Sequence, residues 1–322
     1  MRRAERVTFG GVSLRVKRHM REESLVKTIL AVAGVLLGLS VSASNVMAQG
    51  APQGPIFETR KVTDNVYAYR YGNYQSLFIV GKDGVILTDP SARNKPDAIP
   101  TFLAEIKKIT PLPVRYVIYT HSGYDHIAGG KPFKDAGATF IAHKNAKSQI
   151  EHFNNAPDVV IPDRTVGDGT TPLTLSGEKI DLVYPGPTRS DNMISIYLPK
   201  QKVLYAADWI GVGSAPCMNT SCSPATWNYD HAVKTVQDLD WTIFVPGHSG
   251  PGGRWGTKDD LQRTRDYLKE LNDYTAMLAS ENKCNMASWK AAVVPDKWKD
   301  FVQPQVYQDQ VERYCLTWNQ GA

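Results

Sequence analysis

The sequence predicts an α/β domain in which two β-sheets pack face to face with helices on their outer sides. Short apolar runs alternate with helical spacing through the first half of the chain. A more strand-rich half of similar length follows. Several apolar runs also stop abruptly on Asp or His, the pattern of an α/β protein that gathers its chemistry in the crevice beyond the strand ends.

The elements follow in order. Residues 49–58 form a Pro/Gly/Gln-rich lead-in. Val66–Tyr71, Ser76–Val80 and Val85–Leu87 read as a strand meander with a turn at Lys82-Asp83-Gly84. From Pro96 to Ile109 the spacing becomes helical, with Ile99, Phe102, Leu103 and Ile106 on one face. Val114–Tyr119 and Thr139–Ala142 are the next strands, and Lys144–Phe153 is a helix. The second half reads as strands Leu173–Leu175, Ile180–Tyr184, Met193–Leu198, Lys202–Ala206 and Ile243–Val245. Long helical spacing from Lys258 to about Leu278 closes the chain. The sequence carries no internal repeat and no low-complexity segment.

Residues 1–48 stand apart. Arg21 and Lys27 precede an apolar segment, Thr28 to Val41, and Val46 and Ala48 occupy the −3 and −1 positions of a small-residue site. That is the layout of a secretory signal peptide, with Met20 an alternative start. The expectation is cleavage after Ala48, export to a periplasmic space, and a single domain over residues 49–322. The apolar run is short for a membrane span and no second one follows, so no stable span is expected. Without the leader, eight of the 37 basic residues and three of the 32 acidic ones are gone, leaving 29 of each. A balanced chain has little to offer a polyphosphate backbone, so a small-molecule substrate is expected rather than nucleic acid. Four cysteines, Cys217, Cys222, Cys284 and Cys315, predict at least one disulfide in an exported protein. Cys217–Cys222 is the closest pair in sequence. Cys284–Cys315 would instead pin the C-terminal segment to the last long helix.

The densest chemistry lies in Tyr119-Thr120-His121-Ser122-Gly123-Tyr124-Asp125-His126, just past a strand. Two imidazoles and a carboxylate leaving one rigid strand are the donor types that zinc uses. Three other strands end on the same residue types. Val85-Ile86-Leu87-Thr88 runs into Asp89, Lys202 to Ala207 into Asp208, and Trp241 to Val245 through Pro246-Gly247 into His248. One Asp after a strand is an ordinary turn residue. The set together points to a metal site.

On these residues the chain resembles the metallo-β-lactamase superfamily, over about residues 57–250. The blocks that match are Asp89, His121 to His126, Asp208 after "KVLYAA", and His248 in "VPGHSG". The resemblance implies a four-layer αββα sandwich and a hydrolase built around metal-activated water. It also shows departures. Gly123 stands where the family's His-x-His-x-Asp-His block has its second His, and Thr188 or Arg189 stands where a later block has another. The first metal position thus keeps only His121. The second keeps Asp125, His126, Asp208 and His248, which implies one Zn2+ per chain.

In that reading His121 and Asp125 are the catalytic candidates, with His121 a general base or hydrogen-bond partner of the water. Asp89 supports the site from behind. Arg189, otherwise a solvated loop arginine, becomes a candidate to bind a substrate carboxylate or developing oxyanion. The substrate could be a lactam, lactone, ester, thioester or aryl halide. The missing ligands leave as alternative a non-catalytic or vestigial binding protein on the same fold, and argue against a di-iron redox member. His143, His152, Trp209 and Trp241 read as packing or surface residues. His231 and Tyr229 are placed in the loop after Asp208, where they could line a pocket, and Trp227, like Trp209 and Trp241, is expected to pack in the core unless it walls a substrate.

Overall fold

The computed structural model describes residues 56–153, 156, 158–217 and 225–320, all within the unit Ala51–Ala322. The predicted leader lies outside the described residues, as do Cys222 and the Cys217–Cys222 pairing.

Twelve strands form two sheets among the described residues. The first runs β1 (Phe57–Thr63), β2 (Val66–Tyr71), β3 (Tyr74–Val80), β4 (Val85–Thr88), β5 (Val114–Ile118), β6 (Thr139–His143), β7 (Arg164–Val166), neighbouring in that order. The second is ordered β12 (Ile243–Pro246), β11 (Val203–Ala206), β10 (Ser195–Leu198), β9 (Glu178–Tyr184), β8 (Gly169–Leu175). The helices are α1 (Ala98–Ile109), α2 (Tyr124–Ile127), α3 (Lys131–Asp135), α4 (Lys144–Phe153), α5 (Thr226–Gln237), α6 (Lys258–Ser280), α7 (Met286–Ala291) and α8 (Pro304–Gln320).

Strand alternation explains the layers. In β3, Leu77 and Ile79 face the second sheet, where they meet Ile196, Leu198, Val203 and Tyr205, while Phe78 turns outward to Phe102 and Ile106 of α1. In β11, Val203 and Tyr205 join that inter-sheet core while Leu204 and Ala206 face α5, α6 and α8. Each sheet is therefore apolar on both faces, one against the other sheet and one against helices. The result is the αββα sandwich. Fully burying each large aliphatic side chain contributes about 1.5–3 kcal/mol relative to exposure.

The outer layer of the second sheet holds what the periodicity did not reveal. α5 buries Tyr229, Ala232, Val233 and Val236 at helical spacing, so Tyr229 and His231 lie on a helix and not in a loop. Tyr229 is fully buried and donates to the Trp209 carbonyl at 2.6 Å. Trp209 and Trp241 are core residues, whereas Trp227 is 67% exposed. α8 contributes Tyr307, Val311, Tyr314 and Cys315, and the Cys284–Cys315 disulfide ties it to the segment after α6. β1 is not among the expected strands, because partial exposure along its length leaves no clean alternation; only its first two residues overlap the 49–58 lead-in.

Candidate metal centre

Parallel pairing brings the donors to one edge. β4 pairs parallel with β5, and β11 with β12, so the carboxyl ends within each pair point the same way. From those four ends leave Asp89, His121, Asp208 and His248. The two sheets are stitched there: Gln75 donates from its backbone to Gly247 O at 2.8 Å and from its side chain to Pro246 O at 2.8 Å. Gly247 has to be glycine, since a Cβ on it would fall 2.6 Å from the Ala207 backbone. Asp89 and Asp208 both hold left-handed backbone, with φ of 32° and 66°. Such strain persists where surrounding bonds fix it and concentrates at functional sites.

After β5 the chain makes the one-turn helix α2, with the His126 N–H donating to Gly123 O at 2.9 Å. This turn sends His126 inward, fully buried, and leaves Asp125 nearer the rim. Asp208 is the hub. Its Oδ1 lies 2.8 Å from His126 Nε2 and 2.8 Å from His248 Nε2. Its Oδ2 lies 3.5 Å from His121 Nε2 and accepts from Arg189. Asp125 stands at the margin, its Oδ2 3.9 Å from His126 Nε2 and 3.0 Å from the Tyr74 hydroxyl that donates to it. Asp89 works from behind: it accepts from the Thr120 N–H at 2.8 Å and its hydroxyl at 2.6 Å, and lies 3.4 Å from His126 Nδ1.

The protein alone is electrostatically tense here. Burial opposes charge on His126, yet Asp208 and Asp89 push it up to about 10. Burial likewise opposes the charged form of Asp208, but His126, His121 and His248 hold it well below the usual carboxylate range. Two donor groups could take a cation, His126–Asp208–His248 and Asp89–His121–His126, with ligand atoms within 4.8 Å of one another. The orientation of the rings decides what they fit. His121 Nε2 and both nitrogens of His126 are buried without a hydrogen-bond partner among the described residues, although carboxylate oxygens lie close by. Buried polar atoms that the fold leaves without a partner are the ones a bound cation would satisfy. The mixed N/O set fits a cation of the zinc class.

Residues 70–276 match the family model of the metallo-beta-lactamase superfamily. The chain belongs to that superfamily. It is 28% identical over 200 residues to the 2,4-dinitroanisole O-demethylase subunit alpha of Nocardioides sp. (strain JS1661), covering 60% of this chain but only 58% of that relative. It is 24% identical over 247 residues to a metallo-beta-lactamase type 2 of Elizabethkingia meningoseptica, covering 73% of this chain and 93% of that one. Among solved structures, a metallo-beta-lactamase from Pontibacter korlensis is similar with a TM-score of 0.56 at 20% identity, over 66% of this chain and 99% of that one. The last likeness concerns the fold. The superfamily includes metal-dependent hydrolases, and these relatives are named as enzymes.

With the superfamily in view, the departures acquire geometry. Of the two residues expected where the family has a later histidine, Arg189 is the one whose side chain reaches Asp208; Thr188 is fully buried with its hydroxyl unpartnered among the described residues. Gly123 is packed against the site, and a Cβ there would sit 2.4 Å from His121 Nε2. Several participants carry no sequence signal. Tyr74 packs on His126 and His248 at centroid distances of 5.3 and 4.8 Å. Asn73 Nδ2 lies 3.3 Å from His248 Nδ1. Lys95 sits 3.3 Å above the Tyr74 ring, and burial pulls its ammonium down to about 8. Asn192 holds the His121 turn by accepting from the Ser122 N–H at 3.1 Å. Asn73 lies in the hairpin turn between β2 and β3 and Tyr74 opens β3; only adjacency in the fold gives them a role.

Proposed function

We propose that this protein is an exported zinc-dependent hydrolase of small molecules that works with one ion held by Asp125, His126, Asp208 and His248. The observation that carries the reading is the buried cluster of His121, His126 and His248 around the Asp208 carboxylate, in which His121 Nε2 and both His126 nitrogens have no hydrogen-bond partner among the described residues. When bound, the ion acts as a Lewis acid that lowers the pKa of a water and polarises the bond to be cut. The remaining work belongs to side chains. His121 Nε2, 3.5 Å from Asp208 Oδ2 and otherwise unpartnered among the described residues, takes or holds the water's proton. Its Nδ1 lies 2.9 Å from the Thr120 hydroxyl, which in turn donates to Asp89, so the ring orientation is fixed from behind. Tyr74 steadies Asp125 by donating to it. Arg189 presents a fixed cation to a substrate carboxylate or developing oxyanion.

Candidate substrates are lactams, lactones, esters or thioesters, and aryl halides. The relative named as a 2,4-dinitroanisole O-demethylase subunit adds aryl methyl ethers to the candidates. Export would follow cleavage after Ala48, with the working protein in a periplasmic space. The test is metal analysis of protein made without added zinc, alongside a hydrolysis screen over those classes. About one equivalent of zinc, removed by chelation together with activity, supports the reading. Metal-free protein, inert even after zinc is supplied, overturns it. N-terminal sequencing of exported protein should begin at Gln49.

A further inference from the structure

The Asp208 carboxylate divides the site into two compartments. On the Oδ1 side lie His126 Nε2 and His248 Nε2, each at 2.8 Å. On the Oδ2 side lie Arg189, donating to that oxygen, and His121 Nε2 at 3.5 Å. The second compartment has the makings of a cation site: a carboxylate oxygen of a 95%-buried aspartate and an unpartnered imidazole nitrogen. Asp89, the third donor of the alternative group, already accepts two hydrogen bonds from Thr120. A positive charge is nonetheless provided there by the chain itself, because the Arg189 side chain is only 28% exposed and its guanidinium rests on Oδ2.

The geometry assigns to Arg189 the place of a second cation. The guanidinium neutralises the outer oxygen of Asp208, keeps a divalent ion out of the His121 compartment by like charge, and fixes the carboxylate so that Oδ1 faces its two histidines. Arginine suits this because its charge is permanent and its planar fork can bind a carboxylate while other N–H donors remain for a ligand oxygen. Gly123 serves the same arrangement: with no Cβ, it leaves His121 Nε2 its position beside Oδ2. This inference rests on the metal-hydrolase reading and specifies the number of ions and the reason for it.

The test is the stoichiometry of Co2+ bound by the chelator-stripped full chain, followed by its absorption bands and by native mass spectrometry. Wild type and Arg189→Lys should both stop at one equivalent, since both keep the charge. Arg189→His, which removes the permanent charge and offers a nitrogen donor beside His121 and Oδ2, should proceed to two. A thermal melt confirms that each variant is folded. If Arg189→His does not fold, Arg189→Gln is titrated in its place and should show a second, weaker step. Two equivalents in wild type or in Arg189→Lys would overturn the inference while leaving the hydrolase reading intact. So would a single equivalent in every folded variant without the charge. No binding in any of them overturns both.

Discussion

The strand-end site and the helical layer behind the second sheet are built on opposite terms. At the site, buried polar groups crowd around one carboxylate, two aspartates hold left-handed backbone, and three imidazole nitrogens lack a hydrogen-bond partner among the described residues. In the helical layer, Tyr267, Trp298, Phe301, Tyr307 and Tyr314 pack with aliphatic neighbours, and Tyr267 meets Trp298 edge-on at 5.3 Å. A disulfide staples that layer, with Cα atoms 5.2 Å apart. The first region spends stability on a geometry useful to a ligand; the second supplies it by burial. Changes in one should therefore be visible in ion content and those in the other in unfolding free energy.

The largest separation should come from the hub. Asp208→Ala removes the oxygens facing His126, His248, His121 and Arg189 together. Bound zinc, measured by mass spectrometry, should fall to near zero and hydrolysis with it, while the near-ultraviolet signal of the helical aromatics persists. Retained stoichiometric zinc would show that Asp208 is no ligand. The converse is Trp298→Ala, which opens a cavity under α6 and should cost about 3–5 kcal/mol by urea unfolding with zinc content unchanged in folded protein.

Replacing both Cys284 and Cys315 by serine should cost about 3–4 kcal/mol, given the 31-residue separation of the pair, and again spare the ion. A fall in zinc content there would mean the two regions are coupled. Gly123→Ala reverses the pattern. The new Cβ pushes on His121 Nε2, so hydrolysis should drop with a stability change under about 1 kcal/mol, within the range of single substitutions that leave the core intact. Gly123→His should likewise remain at one ion, because Arg189 still fills the second compartment.

The smallest effect concerns pH. His143 is buried, stacks on Tyr184 at 4.2 Å, and burial lowers its pKa below 6.5 despite Asp168 beside it. The unfolded chain takes up the proton first as pH falls, so stability present above about pH 6.5 is lost progressively toward the folded pKa. His143→Phe should flatten that part of the stability–pH curve measured by urea titration. An unchanged slope would place the acid sensitivity elsewhere.

The sequence by itself determined the strands that end on Asp89, His121, Asp208 and His248, because a buried strand needs an uninterrupted apolar run and its end is marked by the first polar residue. Residue identities set against the resemblance also gave the expectation that Gly123, and Thr188 or Arg189, stand where two histidines would. The helical layer was less legible. α5 carries its stripe of Tyr229, Ala232, Val233 and Val236 among polar residues, and α8 mixes glutamines with aromatics, so neither shows a clean amphipathic period. Only the tertiary structure decided that Arg189 and not Thr188 reaches Asp208, that Tyr74 and Asn73 belong to the site, and that the two oxygens of Asp208 serve different neighbours. Those relations join residues tens of positions apart. They depend on how two twisted sheets pack, and on which way each side chain turns once they do. Periodicity along the chain encodes the face on which a residue lies, but not its partner across the crevice.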